Sequence, residues 1–160
     1  MSHLLAGDPL PEAERRALLQ TARRLHRAAL DGRDDQPLRG RHVAIACSAT
    51  ECPEARVLEE AARRLGARVS RIGFDALCRG DDQAALARML GSLYDAVDCC
   101  TLGAERALEL QRLSGVPVFD GLGDSAHRLR DLLPELDELD ASGADKLTRL
   151  LQAVLVETVA

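Results

Sequence analysis

Aromatic side chains are almost missing from this sequence of 160 residues, which has two Phe, one Tyr and no Trp. A core must therefore be built from Leu, Val, Ala and Ile, and the chain is long enough for one such core. No apolar run is long enough to cross a membrane, and the first residues lack the pattern of a signal peptide. We expect a cytoplasmic protein without a membrane partner, forming one domain over 1–160 that begins with a loose segment over 1–9.

The sequence also has no excess of positively charged residues. The sequence has 21 Lys and Arg against 26 Asp and Glu, a net charge of -5, which argues against nucleic acid as a main partner. Its five cysteines do not have the spacing of a zinc site, and adjacent cysteines on a strand point to opposite faces. We therefore predict reduced thiols, no metal and no cofactor. The cysteines are Cys47, Cys52, Cys78, Cys99 and Cys100.

The stretch over 40–72 reads as strand, loop, helix and strand. Residues 42–47 form an apolar run of strand length, and Pro53 suits the first turn of a helix because its missing N–H has no intrahelical partner there. Apolar residues then recur at helical spacing until Gly66, which ends the helix. In such a βαβ unit, the loop before the helix is the usual site for an anionic ligand, because the helix N-terminus presents free N–H groups.

The side chains of this loop are poorly suited to bind an anion. A phosphate site favours Arg, Lys, Ser, Thr or a run of Gly, whereas two carboxylates here would repel a ligand of their own sign, by roughly 4 kcal/mol each at about 4 Å. The five positions are Glu51, Cys52, Pro53, Glu54 and Ala55. The thiol at the helix N-terminus is a candidate nucleophile, but the adjacent carboxylates oppose its ionisation, and an inert small residue is the alternative.

The rest of the chain alternates helices and strands. Helices are predicted over 11–30, 83–93, 103–113 and 144–160, and strands over 94–100 and 116–119, with a polar connector over 134–142. Alternation of this kind predicts an α/β fold, a three-layer αβα sandwich with a mainly parallel sheet of four strands.

The sequence resembles the aspartate and ornithine carbamoyltransferases. Their pattern G-[KR]-x-x-A-x-x-F, S-T-R-T-R and S-F-E-x-x-x-x-x-L-G is matched by Gly40–Arg41 and by the L-E…L-G over 58–66. The S-T-R-T-R motif, which holds the phosphate of carbamoyl phosphate, falls on 51–55, where none of its residues is retained. In the family's Y-x-D-A-I-V-x-R, the final Arg also binds carbamoyl phosphate, and Cys100 stands at that position.

The resemblance continues to the end of the chain. His127 falls on the family's carbamoyl-binding histidine in D-x-x-H-P-x-Q, although the Pro and Gln do not follow, and a capping or surface role is the alternative. Arg79 lies in R-G-D, which resembles the end of a substrate-covering loop that reaches an adjacent subunit in the family; a polar loop capping the next helix is the alternative. With Arg128 and Arg130, Arg79 would form a possible rebuilt anion site.

The resemblance, together with the loss of the phosphate-binding residues, has implications for function. The family's second domain, which binds the amino-acid substrate, is not matched, while 143–160 resembles the C-terminal helix that packs back on the first domain. We expect a degenerate carbamoyltransferase-like domain without catalytic residues of its own, acting as a binding or assembly module in amino-acid metabolism. It would form a homo-oligomer, a trimer by resemblance, or a mixed oligomer with a carbamoyltransferase. The alternative is a transferase, or binding of carbamoyl phosphate or an amino acid, through a rebuilt site or within such a complex.

Overall fold

The structure is a computed structural model that describes residues 10–33, 35–47, 52–73, 83–100, 102–124 and 128–160. Helices and strands alternate along these residues. The helices are α1 (Glu12–Leu30), α2 (Pro53–Arg64), α3 (Gln83–Leu93), α4 (Ala104–Ser114) and α5 (Gly143–Val159). The strands are β1 (His42–Cys47), β2 (Arg68–Gly73), β3 (Ala96–Cys99) and β4 (Val118–Phe119), and a 3₁₀ helix spans Arg128–Leu136.

The described strands form one parallel sheet in the order β2-β1-β3-β4. The first strand therefore lies in the middle, with Ala46 of β1 opposite Ile72 of β2 and Cys99 of β3. All the strands end at the same edge, which we call the carboxyl edge. The predicted α/β fold with a parallel sheet is confirmed, and parallel pairing follows from the crossover helices that return the chain to the start of each strand.

Helices cover both faces of the sheet, and each face has its own core. On one face α1, α2, α5 and the 3₁₀ helix pack around residues such as Leu18, Ile45, Leu58 and Leu150. On the other face α3 and α4 pack around a smaller set that includes Leu90 and Val97. Leu, Ala, Val and Ile supply nearly all of both cores, as the scarcity of aromatic residues required.

The structure differs from the predicted elements mainly in the fourth strand and in the connector over 134–142. The fourth strand was expected over 116–119 and is reduced to Val118–Phe119. The stretch over 134–142 was predicted to be a polar connector, and in the structure its first residues belong to a 3₁₀ helix with Pro134 inside. Leu129, Leu132 and Leu136 are buried on this helix, so tertiary packing overrides the local signal of the proline.

The C-terminal helix α5 packs against α1, α2 and the 3₁₀ helix. Ser142 caps it, because its hydroxyl accepts a hydrogen bond from the Asp145 N–H at 3.1 Å. Gln152 is buried and donates to the carbonyl oxygen of Ala61 in α2 at 3.3 Å. Among the described residues, no helix has both the length and the apolar content that a membrane span requires.

Candidate functional site

The carboxyl edge of the sheet gathers the predicted site residues that the structure describes. Cys47 ends β1, Cys100 directly follows β3, and Cys52 directly precedes α2. Pro53 is the first residue of α2, as predicted, and Gly66 follows the helix with a φ of 87°. The βαβ unit therefore places the N-terminus of α2 beside the ends of the two central strands, where the sequence predicted a ligand loop.

At this edge the first turn of α2 presents no cationic side chain at the positions of the phosphate motif that the structure describes. Ala55 is fully buried, whereas Glu54 is half-buried and its Oε2 accepts a hydrogen bond from the Cys52 thiol, Sγ to Oε2 3.3 Å. A carboxylate in the first turn interacts favourably with the helix dipole. The Glu54 carboxylate therefore places a negative charge at the N-terminus of α2, where a phosphate would otherwise bind.

Three thiols lie together at the same edge. The Sγ atoms of Cys47 and Cys100 are 3.6 Å apart, those of Cys52 and Cys100 are 3.8 Å apart, and all three lie within 4.8 Å of one another. Burial raises the pKa of the Cys47 thiol, and burial together with the charge of Asp98 raises the pKa of Cys100. Both thiols are therefore held in the protonated form at neutral pH, which disfavours a nucleophilic role for them.

Asp98 is a site residue that the sequence reasoning missed. It lies in β3, is 1% exposed, and accepts a hydrogen bond from the Leu122 N–H at 2.9 Å through Oδ1. Its Oδ2 is buried without a hydrogen-bond partner in the described part of the chain. Burial raises the pKa of Asp98 to about 7. A carboxylate within the apolar run of a central strand was the signal that could have identified it.

The loop after β4 closes over the helix N-terminus. Gly123 packs so tightly that a Cβ there would lie 2.1 Å from the carbonyl oxygen of Glu54. Arg130 holds this loop, because it donates from Nε to the Asp124 carbonyl at 3.1 Å and from Nη2 to the Gly123 carbonyl at 3.5 Å. Arg130 is therefore engaged by the backbone, while Arg128 is exposed.

Other predicted site residues cannot be placed. Glu51, Arg79 and His127 lie outside the described residues, so the ligand role of His127, the partner contact of the R-G-D loop and the rebuilt anion site stay predictions. On α2, arginines pair with carboxylates one turn away, Arg63 with Glu59 and Arg64 with Glu60.

Comparison with known proteins agrees with this fold. The catabolic ornithine carbamoyltransferase of Pseudomonas putida is 35% identical over 127 residues, which are 78% of this chain and 38% of that protein. The ornithine carbamoyltransferase of Haemophilus influenzae (strain PittGG) is 32% identical over 143 residues, 86% of this chain and 43% of that protein. The chain is a partial-domain relative of the ornithine and aspartate carbamoyltransferases.

Solved carbamoyltransferases share the fold. The ornithine carbamoyltransferase of Pyrococcus furiosus superposes with a TM-score of 0.66 at 24% identity over 78% of this chain and 40% of that one. The catalytic subunit of aspartate transcarbamoylase from M. jannaschii gives 0.67 at 22% identity over 84% and 45%. No family model matches the chain. This carbamoyltransferase relative spans about two-fifths of the length of the curated proteins it matches.

Proposed function

We propose that this carbamoyltransferase-like domain has no catalytic activity of its own and acts as a binding and assembly module. The observation that carries the proposal is the chemistry of the carboxyl edge. Where the family resemblance implies a phosphate clamp, the described positions hold two thiols, a proline, a carboxylate and a buried alanine: Cys52, Pro53, Glu54, Ala55 and Cys100.

Transfer of a carbamoyl group requires positioned positive charge around the phosphate that leaves. Each hydrogen bond from a cation to a charged ligand contributes roughly 1.5–3 kcal/mol, so the loss of three such arginines removes about 5–9 kcal/mol of binding. Two nearby cations are engaged elsewhere: Arg130 by backbone carbonyls, and Arg71 by the Glu59 carboxylate at 2.7 Å. Glu54 adds repulsion, so the isolated domain would bind carbamoyl phosphate weakly or not at all.

An assembly role is supported by the helical layer on the smaller core. Met89, Leu93 and Leu113 are 48%, 55% and 36% exposed. Met89 and Leu93 are four residues apart on α3 and share a face, and α4, which carries Leu113, packs against α3. We propose that a second copy of this chain covers this surface, which we call the α3–α4 surface.

Calorimetric titration with carbamoyl phosphate, with inorganic phosphate as the control ligand, tests the loss of catalysis. We expect no binding heat at millimolar ligand, because the clamp cations are replaced. An intact ornithine carbamoyltransferase titrated under the same conditions provides the positive control. Micromolar binding by this chain would contradict the proposal and would point to the rebuilt site that includes Arg128 and Arg130.

Mass measurement in solution tests the assembly role. We expect the chain to be oligomeric and the double substitution Met89→Glu with Leu93→Glu to reduce the mass towards the monomer. Leu30→Glu is the matched control, because Leu30 is 71% exposed at the end of α1, in the other helical layer. A monomeric parent chain would refute self-association, and a gain in mass only on mixing with an intact carbamoyltransferase would replace it with a mixed oligomer.

A further inference from the structure

The three-cysteine cluster at the carboxyl edge arises from the topology of the sheet. Because β1 and β3 are parallel neighbours with Ala46 opposite Cys99, the next residues of each strand, Cys47 and Cys100, lie side by side on one face. Cys100 also donates its N–H to the Ala46 carbonyl at 3.0 Å. The helix α2 packs over that face, and its preceding residue, Cys52, completes the cluster.

The spacing of the three sulfur atoms fits one metal ion. Ligands at about 2.3 Å from a tetrahedral zinc ion stand about 3.8 Å from one another. Two of the sulfur–sulfur distances here are 3.6 and 3.8 Å, and the third is no longer than 4.8 Å. An ion could therefore be bound by a contraction of one edge of the triangle, with the backbone of the two strands unchanged.

The three sulfur atoms are the ligand atoms that the described residues bring together. The Oε2 atom of Glu54 lies 3.3 Å from the sulfur of Cys52 but is not within 4.8 Å of all three sulfurs, so a water molecule would complete a tetrahedral set. Three thiolates select soft or borderline cations and disfavour Mg²⁺ and Ca²⁺, and tetrahedral sulfur-rich sites favour zinc. We propose that Cys47, Cys52 and Cys100 form a three-thiolate binding site for Zn²⁺ or a similar thiophilic divalent cation.

The balance of charge is that of an ordinary structural site. Each of the three thiols gives its proton to solvent, and each sulfur electron pair then bonds to the cation without any change of oxidation state. The divalent ion and three thiolates together carry one negative charge, the same as a zinc ion with three cysteines and one histidine. The ion would join β1, β3 and the start of α2, so its binding would stabilise the fold.

Cobalt titration of the reduced, chelator-treated full chain tests the site. We expect one equivalent of Co²⁺ to produce thiolate-to-cobalt charge-transfer bands and the strong visible bands of tetrahedral cobalt, and Zn²⁺ to displace it. Competition with a chromophoric chelator then gives the Zn²⁺ affinity. The melting temperature should also rise with Zn²⁺.

Two cysteine variants discriminate the site from general thiol binding. Cys52→Ser keeps a small side chain at a helix N-cap, where serine is a preferred residue, so the fold is expected to survive. It should weaken Zn²⁺ binding by about 100-fold or more, since loss of a mere supporting residue already costs 10–100-fold. Cys99→Ala is the matched control: Cys99 is buried on the other face of the sheet, and its removal should leave the affinity within about threefold.

Glu54→Gln is a second control, beside the sulfur triangle. It should leave the charge-transfer bands in place and weaken Zn²⁺ binding less than Cys52→Ser does; a loss as large as that of Cys52→Ser would overturn the assignment of the ligands to the three thiols. Absence of thiolate bands in the parent chain would overturn the site itself. So would equal losses of affinity in Cys52→Ser and Cys99→Ala, with the folded state of each variant verified by circular dichroism.

Discussion

The two faces of the sheet are packed very differently. Among the described residues, the face under α1, α2, α5 and the 3₁₀ helix holds 27 buried core residues, and the face under α3 and α4 holds nine. The larger core has fourteen leucines, whereas the smaller has two and otherwise consists of Ala, Val and a cysteine. Of the large apolar side chains that are exposed in the described part of the chain, Met89, Leu93 and Leu113 belong to the thinner layer, and Leu30 lies at the end of α1 in the other layer.

The two faces therefore contribute to different properties, the larger core to the stability of the fold and the thinner layer to the proposed association of copies. Free energy of folding scales with buried apolar area, so the larger core supplies most of it. The thinner layer leaves apolar area in solvent, which is where the proposed association of copies would gain energy. Both faces meet at the carboxyl edge, where the thiol cluster lies on the side of the larger core.

Removal of α5, by ending the chain at Ser142, should have the largest effect. Six buried Leu and Val side chains would be lost, worth roughly 9–18 kcal/mol of burial, which matches or exceeds the total stability of an ordinary domain. The six are Leu147, Leu150, Leu151, Val154, Leu155 and Val159. We expect an insoluble or unfolded product; a monodisperse, cooperatively unfolding truncation would contradict the importance of this face.

Asp98→Asn should change how stability depends on pH. Burial raises the pKa of Asp98 from 3.8 to about 7, so the folded chain favours the neutral carboxyl. This contribution to stability is fully present below about pH 4 and is lost as pH rises to about 7, by at most about 4 kcal/mol. Asn keeps an oxygen to accept the Leu122 N–H and has no such loss.

The measurement is urea unfolding of both metal-free proteins from pH 4 to pH 8. The stability of the parent relative to Asp98→Asn should fall over this interval and level off above about pH 7. Parallel curves for the two proteins would show that Asp98 does not titrate there.

Gly91→Ala tests the thinner layer. A Cβ at Gly91 of α3 would lie 2.1 Å from the carbonyl oxygen of Ser114 at the end of α4, so the two helices must move apart. We expect a loss of about 1–3 kcal/mol from overpacking, despite a gain in helix propensity of about 1 kcal/mol. Gly143→Ala at the start of α5 is the control, because no heavy atom lies within 4 Å of its Cβ position. Equal stability of the two variants would argue against tight α3–α4 packing.

Glu138→Gln should have the smallest effect. Arg23 of α1 donates from Nε to Glu138 Oε1 at 2.5 Å, but the two side chains are 36% and 51% exposed. Exposed pairs of this kind contribute little to stability and are screened by salt. Chemical denaturation at low and high salt should show a small loss that vanishes at high salt. A clear loss that persists at high salt would mean that the packing of α1 depends on this pair.

Much of the secondary structure follows from local signals. The strand over His42–Cys47 and the helix over Gln83–Leu93 have the predicted bounds, since each is marked by an apolar pattern that begins and ends sharply. The 3₁₀ helix over Arg128–Leu136 could not be predicted in this way, because three buried leucines stabilise it against the proline inside it. Burial is a property of the partner surface and has no local signature.

The candidate site likewise has features that the sequence predicts and features that depend on the tertiary structure. The residue types at the phosphate-motif positions, with their thiols and carboxylate, are read directly from the sequence, and so is the loss of cationic side chains there. Spacing along the chain could not show that Cys47 and Cys100 come together, because 53 residues separate them. Only the adjacency of β1 and β3 brings their sulfur atoms to 3.6 Å. Local sequence thus determined the chemistry available to this protein, and the pairing of distant strands decided which groups act together.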